Sequence, residues 1–149
     1  MIVRDAEPSE GERLREIAIA AKASWGYDLA RVRDWAQRGD FTPEGMARIG
    51  AFVAEVDGKV VAWAALIPRG EVGWLEDLWV EPAWMRRGVG AALFAAAAER
   101  ARSAGARRME WEAEPNALAF YERMGARRVR DSGPTSWGRI VAVLSVDLE

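Results

Sequence analysis

The chain is predicted to fold as a single α/β domain, and three observations carry that expectation. Strand-like and helix-like runs alternate along its length; an Asp57-Gly58 pair joins two β-rich runs; and the run from Leu75 to Pro82 leads through a glycine-rich turn into an alanine-rich helix. With 149 residues and 50% hydrophobic content, the chain can bury a core without metal or disulfide support.

The elements follow in order. Residues 2 to 5 read as a short strand. Pro8-Ser9-Glu10 then starts a helix whose apolar positions Leu14, Ile17, Ala18 and Ala21 keep helical spacing, and which ends near Trp25-Gly26. A second helix is expected over residues 28 to 37, and Thr42-Pro43-Glu44 opens a short third one. Residues 51 to 56 and 59 to 66 form a hairpin, since Asp-Gly supplies the positive φ angles of a tight turn. Pro68-Arg69-Gly70 is expected to break the second of these strands. A strand over 73 to 80 and a helix over 88 to 104 follow, with Gly105 closing the helix. Residues 107 to 113 alternate as a strand, 116 to 124 form a short helix ended by Gly125, and 127 to 130 and 140 to 148 are two final strands. Repeats, low-complexity tracts and linkers are absent from the sequence, so residues 1 to 149 read as one domain.

Composition removes several chemistries. Without cysteine there is no disulfide framework, thiolate metal site or cysteine-linked intermediate. Without histidine, a general base near neutral pH must be a carboxylate, a tyrosine, a lysine, an amino terminus or a water chain ending in one of them. The apolar runs are too short to span a bilayer and the first residues lack a signal core, so a soluble, cytoplasmic protein without membrane partners is expected. Residues 84 to 130 hold ten arginines against five glutamates within a chain of net charge -2, a split that suits a polyanionic cofactor beside a cationic substrate and equally suits solvated helix faces. A pI of 5.4 and the lack of a basic, aromatic sheet face argue against nucleic acid.

Gly88 and Gly90 bracket Val89 where a loop gives way to a helix, so free backbone N–H groups can face an anion at the positive end of the helix dipole, with Arg86 and Arg87 adding charge. Two other phosphate motifs fail. Leu93 stands where a dinucleotide fingerprint wants glycine or alanine, and a Walker Gly-Lys-Ser/Thr is absent.

Trp79-Val80-Glu81-Pro82 followed by Arg87-Gly88-Val89-Gly90-Ala91-Ala92-Leu93, and later Asn116 with Phe120-Tyr121-Glu122-Arg123-Met124-Gly125-Ala126, resembles the GNAT superfamily of acetyl-CoA-dependent N-acetyltransferases over roughly residues 2 to 130. The resemblance implies a three-layer fold: a central mixed, mostly antiparallel sheet of six to seven strands flanked by helices. It also implies that Arg86, Arg87, Gly88, Val89, Gly90 and Ala91 wrap the CoA pyrophosphate through backbone amides, although Met85 stands where the family has arginine or glutamine. The pantetheine arm would pair with the backbone of Leu78, Trp79 and Val80 as an added strand does, and Val80 N–H would face the oxyanion. Asn116 would contact the pantetheine amides, or cap its helix; it stands nearer to Tyr121 than is usual.

An alkylamine with a pKa of about 10 must lose a proton before it attacks a thioester. Glu76 and Asp77 are the candidate bases, in a run Leu75-Glu76-Asp77-Leu78-Trp79-Val80 that is similar to the Leu-Glu-Asp-Ile-Tyr-Val of diamine and polyamine acetyltransferases. Strand alternation places Glu76 with Trp74, Leu78 and Val80 and turns Asp77 the other way, so Glu76 is expected to be the base, acting through water; Asp77 belongs with the substrate contacts and Glu112 is held in reserve. Tyr121 falls at the family's tyrosine that contacts the cofactor and protonates the departing thiolate. The lack of cysteine favours direct attack in a ternary complex.

On the acceptor side, Trp25 and Tyr27 are expected to wall an ammonium, with Asp28 as counter-charge, while Trp35, Trp63, Trp111 and Trp137 are expected in the core or an interface. The arginines at 100, 102, 107, 108, 127 and 128 stand either near the CoA 3'-phosphate or on solvated element ends. The expected activity is acetyl transfer from acetyl-CoA to a primary amine of a small molecule, diamine-like by motif. A peptide or protein N-acetyltransferase and a non-catalytic acyl-CoA-binding module remain open beside it. The resemblance also implies a homodimer, with residues 141 to 148 as an interface strand.

Overall fold

A computed structural model describes residues 1–148. Strand β1 (Ile2–Asp5) and a 3-10 turn lead to α1 (Gly11–Ala23), α2 (Leu29–Gln37) and α3 (Pro43–Arg48). Strands β2 (Ala51–Val56), β3 (Lys59–Arg69) and β4 (Val72–Val80) precede α4 (Val89–Ser103), and β5 (Arg108–Glu112), α5 (Leu118–Arg123), β6 (Arg127–Asp131) and β7 (Ala142–Asp147) complete the chain. The seven strands form one sheet in the order β1-β2-β3-β4-β5-β7-β6. Of its neighbouring pairs only β4 and β5 run parallel.

Two apolar clusters hold helices to opposite faces of the sheet. Leu93, Phe94, Ala97 and Ala101 of α4 pack with Phe52, Val61, Leu75, Met109, Trp111 and Tyr121. Leu14, Ile17 and Ala18 of α1 and Met46 of α3 pack with Val53, Trp63 and Ala65 on the other face. Each face follows from strand alternation: neighbours on β3, such as Ala64 and Ala65, enter different clusters.

Several local expectations are corrected. Pro68 and Arg69 do not break β3: they stay in register with Gly73 and Val72, and the chain turns only at Gly70, where φ is +67°. Strand β7 is no edge that could pair with a second copy, because it lies between β5 and β6. The edges are β1 and, beside β7, β6, whose exposed Arg127, Arg128, Arg130 and Asp131 discourage pairing with another strand. Trp63 and Trp111 are core residues at 1% exposure, as expected, but Trp35 and Trp137 are only half-buried and stand around Lys22.

Candidate active site

Helix α4 begins at Gly88, whose φ of +83° is open to glycine at little strain and whose position offers no side-chain cap. The first intrahelical bond of the helix is donated by Ala92 N–H to Gly88 C=O, so the N–H groups of Val89, Gly90 and Ala91 carry no acceptor within the helix. They stand beside a cavity of about 540 Å³ lined by Arg86, Gly88, Gly90 and Ala91, by β4 residues Leu78 to Val80, and by Asn116, Phe120, Tyr121 and Arg123. A Cβ at Gly90 would lie 3.3 Å from the Phe120 ring, so the close approach of α4 and α5 favours glycine there. Unpaired amides at a helix N-terminus, with two arginines at the rim, fit a pyrophosphate.

Two residues of that predicted turn sit differently from expectation. The Val89 side chain is in the core and does not line the cleft. Arg87 is turned away, its guanidinium 5.1 Å from the Trp84 ring. The six arginines considered for the 3'-phosphate are paired elsewhere: Arg100 with Asp5, Arg102 with Glu99, Arg107 with Glu71, Arg108 with Glu110, Arg127 with Asp147 and Arg128 with Asp131. The cations at the cleft are Arg86 and Arg123.

Strand β4 parts from β5 after a short ladder. The two pair only from Val72 to Trp74. Opposite β3, Leu75 is in register with Leu66 and Asp77 with Ala65, which leaves Glu76 as an extra, bulged residue. Beyond it, the backbone edge of Leu78, Trp79 and Val80 on the β5 side has no strand partner among the described residues. An extended chain of amides, such as pantetheine, can add to such an edge.

The bulge overturns the alternation expected around Glu76. Leu78 and Val80 pack towards the α4 cluster and Trp79 towards the α1 cluster, while Glu76 is exposed and accepts a hydrogen bond from Trp74 Nε1 at 2.7 Å. Glu76 therefore shares a side with Trp74 but not with Leu78 and Val80, because the extra residue resets the period-two pattern.

A second cavity, of about 210 Å³, occupies the opening between the strands; Glu76, Asp77, Glu112 and Glu114 supply its carboxylates and Lys22 and Arg139 its cations. Burial, only partly offset by the hydrogen bond that Trp79 Nε1 donates at 2.9 Å, pushes the Asp77 carboxyl up to about 7, and the neighbouring Glu76 charge adds to the rise. Glu112 is also raised, by burial and then by Glu76.

Tyr121 lines both cavities, as do Trp25, Leu78, Trp79 and Ala117. Its ring packs among three others, with centroids 5.0 Å from Trp111, 5.1 Å from Phe120 and 6.3 Å from Phe94. No protein group hydrogen-bonds its hydroxyl among the described residues, and burial, with the Asp77 and Glu114 charges behind it, pushes its pKa well above the ordinary phenol value. A phenol held neutral at the junction of two cavities has a proton to give to a group that forms there.

Among the expected acceptor residues, Trp25 lines the cavity, but the other two do different work. Tyr27 donates to Glu114 at 2.8 Å and accepts from Arg139 at 2.7 Å and Asn116 at 3.2 Å, tying α1's end to the later loops. Asp28 caps α2 by accepting the Arg31 N–H at 3.1 Å and does not line either cavity. Asn116 borders the larger cavity, yet it is not the cap of its helical turn: Glu114 accepts the Asn116 N–H. Sequence reasoning missed Lys22, Arg123 and Arg139 as cavity residues; Lys22 sits on the helix face of Ala18 and Ala21, which was a signal of burial.

Known proteins share this architecture. Residues 12–126 match the family model for "Acetyltransferase (GNAT) family". An uncharacterized N-acetyltransferase, MJ1207, of Methanocaldococcus jannaschii is 37% identical over 86 residues, a segment that is 51% of this chain and 38% of that protein, so the chain spans under half of that relative. A glucosamine 6-phosphate N-acetyltransferase of Trypanosoma brucei brucei is 29% identical over 109 residues, 68% of this chain and 70% of that protein. The PaiA N-acetyltransferase of Thermoplasma acidophilum, solved in complex with coenzyme A, shares the fold at a TM-score of 0.81 with 14% identity, covering 98% of both chains. With the match running through the sheet, the α4 turn and the Tyr121 helix, the chain belongs to the GNAT family of acetyltransferases, whose acetyl donor is acetyl-CoA.

Proposed function

We propose that the protein transfers the acetyl group of acetyl-CoA to a primary amine of a small molecule, by direct attack in a ternary complex. The observation that carries this reading is the meeting of the two cavities at Leu78, Trp79 and Tyr121: a cleft beside an anion-binding helix end joins there a small, half-open, carboxylate-bearing pocket. A pocket of about 210 Å³ suits a small amine better than a peptide, which needs an open groove. The trypanosomal relative is named for an amino sugar phosphate, itself a small primary amine.

Acetyl-CoA supplies the thioester carbonyl and a thiolate leaving group. The α4 amides from Gly88 to Ala91, with Arg86 and Arg123, hold its phosphates, and Asn116 stands by the pantetheine arm. The unpaired β4 edge from Leu78 to Val80 aligns that arm, and Val80 N–H is assigned to the developing oxyanion. The base is assigned to Asp77, whose carboxyl near 7 is matched to work at neutral pH, with Glu76 and Glu112 attracting the ammonium to the mouth. Tyr121 gives its proton to the departing sulfur, a thiolate of pKa about 8.5 that a phenol of higher pKa protonates as the bond breaks.

The test is acetyl-CoA-dependent mass gain over a panel of diamines, amino acids, aminoglycosides and short peptides, run beside Tyr121→Phe. Acetylation of one small-molecule class, reduced about 100-fold in Tyr121→Phe with acetyl-CoA affinity kept, is the expected outcome. Peptide acetylation alone, or acetyl-CoA binding without turnover of any amine, would refute the reading.

A further inference from the structure

The acceptor cavity contains a cation without a counter-ion. Lys22 is 6% exposed and lines the cavity, yet its ammonium has no hydrogen-bond or ion-pair partner among the described residues. Aromatic rings surround it instead: Nζ lies 4.6 Å from the centroid of Trp35, 4.7 Å from Trp137, 5.4 Å from Tyr27 and 5.7 Å from Trp79. Arg139, the other cation of the cavity, is engaged by Tyr27 at 2.7 Å and Glu114 at 3.7 Å. Such a cage is chemically suited to a substrate ammonium, but the protein fills it with its own.

That occupancy polarises the pocket. Glu76 and Asp77 stand on β4 and Glu112 on β5, whereas the caged Lys22 stands on α1; the fourth carboxylate, Glu114, is held by Tyr27 at 2.8 Å and Arg139 at 3.7 Å. The second ammonium of a diamine would meet Lys22 with like charge, whereas a carboxylate or phosphate would supply the counter-charge it lacks. On the reading that the acceptor is a small primary amine, we propose that it also carries an anionic group, carboxylate or phosphate, bound by Lys22 while its amine faces Asp77. The ring faces offset part of the cost of burying an unpaired ammonium. The rest shows as a Lys22 pKa pulled below its usual value by burial and by Arg139, against the opposing pull of Glu114. An ion contact in such a pocket is worth about tenfold or more in affinity.

Matched acceptors test this: lysine against cadaverine, which differ by a carboxylate, and glucosamine 6-phosphate against glucosamine, which differ by a phosphate. We expect kcat/KM for the anionic member of one pair to exceed that of its partner by about tenfold or more, the pair itself naming the anion. Lys22→Met should bring that ratio down to about one, while Lys22→Arg keeps most of it and both variants bind acetyl-CoA as the parent does. Equal use of both members in both pairs, or a ratio unchanged in Lys22→Met, overturns the inference. The parent protein's ratios decide the matter alone if Lys22→Met does not fold. Turnover of no member of either pair by protein that acetylates another small amine overturns the inference and leaves the small-molecule reading standing, whereas turnover of no amine at all by protein that binds acetyl-CoA overturns both.

Discussion

Replacing Asp77 by asparagine tests the proton-transfer step where the structure is most specific. The carboxyl is pushed up to about 7 by burial and by Glu76, against a hydrogen bond from Trp79. As the base it must be ionised, so kcat/KM should fall about tenfold for each pH unit below that value, and fall again above the amine pKa of about 10 if the ammonium is the form that binds. A positioned general base contributes about 10²- to 10⁴-fold. Asp77→Asn should therefore lower kcat/KM at neutral pH by at least about 100-fold and abolish the acidic limb. Glu76→Gln should move that limb to lower pH while sparing most of the rate, because it removes a charge that helps hold Asp77 protonated. The assay is thiol release across the pH range with the acceptor the panel identifies. An Asp77→Asn enzyme that keeps both its rate within tenfold and its limb would refute the assignment and move the base to Glu76 or Glu112.

Three further outcomes are expected. Because the folded Asp77 pKa lies above its ordinary 3.8, the folded protein binds more protons than the unfolded chain between about pH 4 and 7; the group thus removes stability as pH rises through that window, by about 2–4 kcal/mol. Asp77→Asn should abolish this part of the loss, so that its denaturation midpoint exceeds the parent's at pH 8 and not at pH 4; equal gains at both would refute it. Gly90→Val, which puts a side chain against the Phe120 ring 3.3 Å from its Cβ, should raise the KM for acetyl-CoA about tenfold and cost about 1–3 kcal/mol in denaturant titration. Arg123→Ala should weaken acetyl-CoA binding severalfold in calorimetry and Arg100→Ala should not, since Arg100 pairs with Asp5 and Arg123 lines the cleft.

What was legible in the sequence was whatever depends on neighbours in the chain. The order of strands and helices, the Asp57-Gly58 turn and the glycine entry to α4 all rest on local backbone requirements, and they stand where expected. The misreadings have non-local causes. The Glu76 bulge exists only in the register of β4 against β3, which no period-two count reveals. Lys22 reads as an ordinary helix lysine until Trp35 from α2 and Trp137 from a loop over a hundred residues away close around it. Asp28 is the exception, with a local cause: a helix-opening aspartate has a nearer use than a substrate, the cap it makes by accepting the Arg31 N–H. The arginines of residues 84 to 130 carried charge but no partners in the sequence; folding gives most of them carboxylates and leaves Arg86 and Arg123 at the cleft.

The bulge at Glu76 also explains why one strand serves both halves of the site. Up to Trp74, β4 is an ordinary inner strand, paired on both sides and buried at Gly73 and Leu75. One extra residue then ends the ladder to β5, and three consequences follow from the same irregularity. The parted strands make room for the smaller cavity between them. The backbone from Leu78 to Val80 keeps polar groups that an extended ligand can satisfy. Asp77 is turned to the side of Trp79 and α1, away from the α4 cluster, where burial raises its carboxyl. A regular strand of the same composition would place Asp77 on the face of Leu75 in the α4 core, where an unpaired carboxylate is far more costly. Removal of residue 76 should accordingly restore pairing to β5 and remove acceptor binding and pantetheine alignment together, an outcome that no substitution at Asp77 or Tyr121 alone would produce.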